Sequence, residues 1–262
     1  MNIKLSNLAV AGLVIFCLSG LAAAGQAGVS GSHANEILIG RIYQQGSNVD
    51  HLLFNFRRTA IRSGNEVRVT RTYTYPNGRT AAIEKATYRN DQLVSYSLIE
   101  KQINAHGRAE IHGNAQAGKG VLSMRYVEGG DTDTNIEALE SPTVVNDNIV
   151  PYLLAHWREL MQGKEVYLRY IVIPRTQTVG FNLIKSGETT WRGKPAVVIK
   201  MIPASFFIRL VVAPVYFTVE KERRQVVRYE GRITPKIKEN GEWQDLDAVM
   251  VFHWKSRLRQ NQ

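Results

Sequence analysis

Three stretches carry residues whose types and spacing could do chemistry. Gly113-Asn114-Ala115-Gln116-Ala117-Gly118-Lys119 has the two glycines and the lysine of a phosphate-cradling loop. Such a loop needs a Ser or Thr next, to hold magnesium, and then a helix. Gly120 stands there instead, and Val121 to Val127 alternates as a strand does, so the stretch reads as a flexible loop. Asp131, Asp133 and Asn135 begin like a calcium loop. Ile136 then occupies the position that needs glycine, and Pro142 the one that needs glutamate, so a solvated acidic loop is the reading. His106, His112 and His156 have no partner at a metal-ligating spacing, and the chain has no Gly-x-Ser-x-Gly elbow. These patterns give no reason to expect a catalytic residue, a metal or a cofactor.

The chemistry that is left is apolar. Trp157, Tyr167, Tyr170, Phe181, Trp191, Phe206, Phe207, Tyr216 and Phe217 crowd the central and later parts of the chain. One reading is an ordinary β core, since large aromatics dominate cores. The sharper reading is an apolar cavity between a helix and a curved sheet, able to take an acyl chain. Leu153, Trp157, Tyr170, Phe181 and Trp191 would line it. Arg169 would sit at its mouth and meet an anionic headgroup.

The stretch that must position these residues changes its repeat halfway. Val150, Leu153, Leu154, Trp157, Leu160 and Met161 recur at helical spacing and form one apolar stripe. Asn146 to Asn148 offer a cap, Pro151 lies near the first turn, and Gly163 ends the run. From Lys164 to Ile173 the pattern is that of a strand with apolar side chains on both faces, so cover is expected on both. This is the one main helix expected. On either side the chain reads as strands, with turns every ten to fifteen residues, the rhythm of an antiparallel meander. Pro76-Asn77-Gly78 and Asn240-Gly241 are hairpin turns. Glu128 to Thr143 reads as polar and irregular. Pro203 to Pro214 reads as a short helix or a buried crossing segment. The expected fold is mainly β: a curved antiparallel half-barrel of roughly ten to twelve strands, with one helix packed on it.

The first residues read as an export signal. Lys4 precedes an apolar run from Leu8 to Leu21, and Ala22-Ala23-Ala24 is a small-residue cleavage site. The expected domains are therefore a signal peptide over 1–24 and a disordered leader over 25–35. A single β-rich domain follows over 36–254, then a basic tail over 255–262. Cys17 is the one cysteine and lies within the signal, so the mature chain has no disulfide or thiolate chemistry. The signal takes one lysine and no acid from a formal net charge of +10. The expected location is the periplasm, with no membrane anchor after cleavage. Possible partners are a lipid or acyl chain and an anionic envelope surface; nucleic acid is not one.

The segments Asn148 to Pro174 (NIVPYLLAHWRELMQGKEVYLRYIVIP) and Ala213 to Ile233 (APVYFTVEKERRQVVRYEGRI), with the signal and the meander, give the chain a resemblance. In pattern it resembles the LolA/LolB-like superfamily of periplasmic lipoprotein carriers, half-barrels with helices over the concave face. The resemblance implies binding of a hydrophobic ligand in the envelope and transfers no site residue. Two other readings stay open. One is an envelope scaffolding module that binds polyanions or a partner protein through its basic strands. The other is an unrecognised hydrolase. N-terminal sequencing of the exported protein is expected to start at Gly25; a chain that keeps Met1 would refute cleavage.

Overall fold

The computed structural model describes residues 33–46, 51–114 and 119–254, so the signal peptide and the basic tail lie outside the described residues. Fifteen strands follow in order. The first eight are β1 (His33–Gln44), β2 (Leu52–Ser63), β3 (Glu66–Thr74), β4 (Thr80–Arg89), β5 (Gln92–Glu100), β6 (Ala105–Asn114), β7 (Lys119–Glu128) and β8 (Asp131–Ala138). After the short β9 (Thr143–Val144) come two helices, α1 (Ile149–Ala155) and α2 (Trp157–Met161). The rest are β10 (Val166–Val172), β11 (Gln177–Trp191), β12 (Lys194–Pro203), α3 (Phe206–Arg209), β13 (Val215–Glu220), β14 (Gln225–Glu239) and β15 (Glu242–Trp254).

All fifteen strands form one sheet, in the order β8-β7-β6-β5-β4-β3-β2-β1-β15-β14-β13-β12-β11-β10-β9. The first and last strands pair in its middle, with Ile42 opposite Met250, and two antiparallel arms run outward from that pair. Only β9 runs parallel to its neighbour, β10. Tight turns set the register. Asn90 and Asp91 both have positive φ, and so do Asn240 and Gly241, the geometry of two-residue hairpins whose twist matches the strands. Bulges in β11 near Lys185 and in β14 near Ile233 bend the long strands. The fold is the expected half-barrel: mainly β, open, curved and antiparallel.

The count exceeds the ten to twelve strands expected because some run where the sequence pattern is faint. β8 occupies a stretch read as irregular; nearly all of it is exposed, so no apolar alternation marks it. The expected helix is two short ones, broken at His156, and neither has a side-chain cap. Asn148 does not cap α1; its Oδ1 accepts instead from the Val145 N–H at 2.7 Å. Of the expected stripe, Leu153, Trp157 and Leu160 are buried and Val150, Leu154 and Met161 half-buried, and Ile149 is buried with them. They pack on Val166 and Leu168 of β10, Phe181 of β11, Ile199 of β12 and Phe217 of β13. Strand β10 finds cover on both faces only toward its end, since Tyr167 near its start is exposed. Val166 and Leu168 meet the helices, while Ile171, and Ile173 just beyond, join the cluster formed by β2 to β7.

The outer strands β8 and β10–β11 do not pair through backbone. Side chains bridge them instead. Asn135 Nδ2 donates to the Thr176 carbonyl at 2.9 Å, and Thr178 Oγ1 donates to Glu137 Oε2 at 2.6 Å. Glu137 also accepts from the Thr178 N–H at 3.2 Å. The acidic residues once compared with a calcium loop therefore lie on an edge strand, and Asn135 serves this seam. Gly113 of the phosphate-loop spelling has a similar explanation, together with Gly120 just past it, while Gly118 lies outside the described residues. Gly113 and Gly120 face each other across β6 and β7 with φ of 131° and 130°. A Cβ on Gly113 would lie 2.2 Å from the Lys119 carbonyl, so the close approach of the two strands requires glycine.

Gly107 plays the third part. A Cβ there would lie 2.3 Å from Ile173 Cγ2 and 2.7 Å from the Arg125 carbonyl oxygen. Its bare backbone lets Ile173 sit on β6 beside the seam. Gly107→Ala is expected to lower stability by roughly 1–3 kcal/mol through overpacking. In a double-mutant cycle with Ile173→Ala the losses should be less than additive in urea unfolding; strict additivity would remove Ile173 from this contact.

Candidate functional site

The interior beneath the helices has an apolar half and a polar half. The polar half begins with charged residues at core-facing positions of strands. On β4 the inward register runs Ala82, Glu84, Ala86, with Glu84 only 1% exposed. Arg71 lies opposite Glu84 on β3, and Arg58 lies opposite Arg71 on β2. Arg71 Nη1 donates to Glu84 Oε2 at 2.8 Å. The other carboxylate oxygen accepts from Tyr73 OH at 3.2 Å, from Asn146 Nδ2 at 2.9 Å and from Thr234 Oγ1. A second pair adjoins it. Arg58 reaches Asp147 through Nε at 2.6 Å and Nη2 at 3.2 Å, and Tyr88 OH donates to the same carboxylate at 3.0 Å.

Asn146 joins the two halves. Its Oδ1 accepts from Tyr170 OH at 2.5 Å while its amide donates to Glu84. Burial works against the charge on Arg71, but Glu84, together with Tyr73, Tyr96 and Asp147, more than offsets it and holds the guanidinium above its ordinary pKa. Burial, and then the neighbouring Glu84, push the hydroxyls of Tyr96 and Tyr170 well above the usual phenol value. Burial, and then Asp147, do the same for Tyr88. All three stay protonated; Tyr88 and Tyr170 donate through their hydroxyls, while the Tyr96 hydroxyl accepts from Asn146 Nδ2 at 3.5 Å. Each arm of Glu84 has a partner, so the cluster ties strands together more than it offers open valences to a ligand.

Of the residues expected to line a ligand site, the structure brings four together. Leu153 is fully buried, Trp157 and Phe181 are nearly so, and Tyr170 is half-buried beside them. The Tyr170 and Phe181 rings meet edge-on, centroids 6.0 Å apart. Side chains of helix and sheet interdigitate here. The other two lie elsewhere. Arg169 belongs to the seam: its N–H donates to the Pro142 carbonyl at 2.8 Å, its Nη2 donates to Thr178 Oγ1, and its Nε lies 3.6 Å from Glu140. Trp191 stands at the end of β11, on the sheet face opposite Phe217. It lines a groove of about 500 Å³ with Tyr216, Thr218, Arg228 and Glu230, and Arg192 lies over its ring. Helical spacing accounts for Leu153 and Trp157 alone, Tyr170 and Phe181 come from β10 and β11, and a strand 15 residues long carries Trp191 far from Phe181.

Glu84, Asp147, Arg58, Arg71 and Asn146 escape a reading based on apolar periodicity. Their signal was parity: Arg58 continues the inward register of Phe54 and Phe56, and Glu84 that of Ala82. Several arginines of the early strands are bound to acids. Arg62 pairs with Asp91, and both Arg68 and Arg89 with Glu66. Those strands therefore carry no unbroken basic face. Ser123 Oγ lies 3.3 Å from His112 Nε2, an exposed pair on β7 and β6. The nearest glutamate on that strand, Glu110, is engaged by Arg108 at 2.6 Å. Among the described residues, no three His, Cys, Asp or Glu side chains gather as a metal site would need, and no helix is long and apolar enough to cross a membrane.

By architecture the chain is an open antiparallel half-barrel with a helix pair on its inner face. No family model matches it, and no curated protein does. Among solved structures it is similar to a β-barrel-like protein of a domain of unknown function from Brucella abortus. That match has 6% identity, a TM-score of 0.39, and covers 84% of this chain and 96% of that one. It is also similar to a candidate outer membrane lipoprotein-sorting protein domain from Vibrio parahaemolyticus, at 8% identity and TM-score 0.26, covering 86% of each chain. A porin-like protein from Bacteroides uniformis matches at 10% identity and TM-score 0.24, covering 84% of this chain and 97% of that one.

Glu84→Ala is expected to cost roughly 3–5 kcal/mol, because it leaves Arg71 charged, buried and unpaired. Glu84→Leu combined with Arg71→Met should recover much of that loss in urea unfolding. If the single and double variants are equally unstable, the tie is not what holds Arg71.

Proposed function

We propose that this protein binds a hydrophobic or lipid-like molecule in the periplasm, with the helix pair acting as a displaceable lid. One observation carries the reading. The element that fills the apolar half of the interior is α1 and α2, two helices of 7 and 5 residues with a break between them and no side-chain caps. Helices this short are not stable alone in water; burial of their stripe holds them in place. Fully burying a side chain such as Leu153 or Leu160 contributes about 1.5–3 kcal/mol. An acyl chain presents the same kind of surface and can take the place of that stripe against Leu168, Phe181, Ile199 and Phe217. The tie from Glu84 to Asn146 keeps the start of the lid in position while the rest moves. Tyr170, whose hydroxyl that tie holds, lies where the polar and apolar halves meet and suits a molecule with a polar end.

Binding is tested with cis-parinaric acid, whose fluorescence rises in an apolar site. Wild type is expected to take it up. Leu153→Ala should bind it roughly tenfold more tightly, because a weaker lid populates the open state, while its unfolding midpoint falls. No uptake by either protein, together with ligand-free native mass spectra of freshly extracted material, would end this reading.

A further inference from the structure

The connection between β12 and β13 was expected to be a short helix or a buried crossing, on the strength of its apolar residues. The structure puts those residues in water. Phe206, Phe207, Leu210 and Val211 are 68%, 79%, 69% and 83% exposed. A contiguous apolar patch of this kind marks an interaction site. The patch is also built, and not a slack loop. α3 makes one turn, and the N–H groups of Val211 and Val212 donate to the Ile208 carbonyl at 3.1 and 2.9 Å. Ala204 N–H donates to the Gly180 carbonyl at 2.8 Å and pins the knob to β11. Arg209 folds back, its Nε donating to the Pro203 carbonyl at 2.5 Å. The backbone of the turn thus satisfies part of its own hydrogen bonding, which lowers the cost of entering an apolar medium.

Charge decides what the knob fits. The segment from Ala204 to Pro214 carries Arg209 and no Asp or Glu, and Lys200 precedes it on β12; Arg192 and Lys194 lie at the far end of that strand, where Lys194 pairs with Glu220 at 3.2 Å. Lys200 lies on β12, with its ammonium 5.9 Å from the Tyr216 ring. An apolar tip with Arg209 within it, Lys200 on the strand before it and no carboxylate in its own segment complements a surface that is anionic outside and apolar beneath. We propose that Ala204–Pro214 is a docking element for anionic lipid bilayers, with Phe206, Phe207, Leu210 and Val211 entering the boundary between headgroups and acyl chains. Lys200 and Arg209 then lie at headgroup depth. The proposal stands apart from the lid: a chain that takes up no fatty acid can still dock, and a chain that takes it up need not.

The test uses the mature chain and sedimentation with vesicles. Binding is expected to phosphatidylcholine mixed with phosphatidylglycerol, and to be about tenfold weaker with phosphatidylcholine alone or at high salt. Phe206→Ser combined with Phe207→Ser should weaken binding at least about tenfold. Because both rings are already exposed, its urea midpoint should match wild type, which separates docking from misfolding. Phe206→Trp should shift its emission to the blue on the mixed vesicles only. Equal binding by the double variant, indifference to lipid charge, or no binding at all would overturn the proposal. So would a wild-type dimer in ultracentrifugation that the double variant abolishes, which would make the knob a self-association surface.

Discussion

The structure depends on a carboxylate buried where strands usually place apolar side chains. Glu84 accepts hydrogen bonds from Arg71 and Tyr73 on β3, Thr234 on β14 and Asn146 before α1. These donors come from both arms of the sheet and from the lid. A buried charge is stable only with its partners in place, so they must converge on one point in the interior. That condition sets how far the sheet curls. Thr234 stands 150 residues from Glu84 in sequence, and only a sheet bent back on itself brings them together.

Curling brings the outer strands close without joining them, and the seam handles the edge. Asn135, Glu137, Thr178 and Arg169 supply through side chains what backbone pairing would supply in a closed barrel. Ile173 fills the space beneath, and Gly107 makes room for it. An edge occupied in this way offers less to a passing strand from another molecule. Closure by side chains is also weaker and more adjustable than a ladder of backbone bonds.

The two apolar features of the molecule differ in kind. The stripe on α1 and α2 is covered on its sheet side, and the energy that holds it is the burial that a ligand could replace. The knob after β12 is uncovered, so its apolar area gains only from contact outside the chain. The proposed lipid chemistry of the interior and the proposed bilayer contact of the knob suit one environment, the envelope, but rest on separate residues.

Sequence alone determined the class of fold, since strand alternation, turn residues such as Asn240-Gly241 and helical spacing from Val150 to Met161 are local properties. It also put Leu153 and Trp157 on one apolar stripe, and left open whether Trp157 and Phe181 fill the core or line a cavity. Helix length was not legible, because no proline or glycine stands at the break at His156, and Pro151 lies in the first turn, where a helix tolerates it. Nor was β8, whose polar edge carries no apolar alternation. The residues of the polar tie were visible only as charges at inward parity, a signal that apolar periodicity passes over. What tertiary structure decided was everything that depends on distance across the interior: Glu84 meeting Thr234, Arg169 closing a seam instead of facing a ligand, Trp191 on the opposite face. It also left Phe206 and Phe207 in water. Hydrophobicity says that a side chain gains by burial, but only the folded surfaces around it decide whether the chain itself provides the cover.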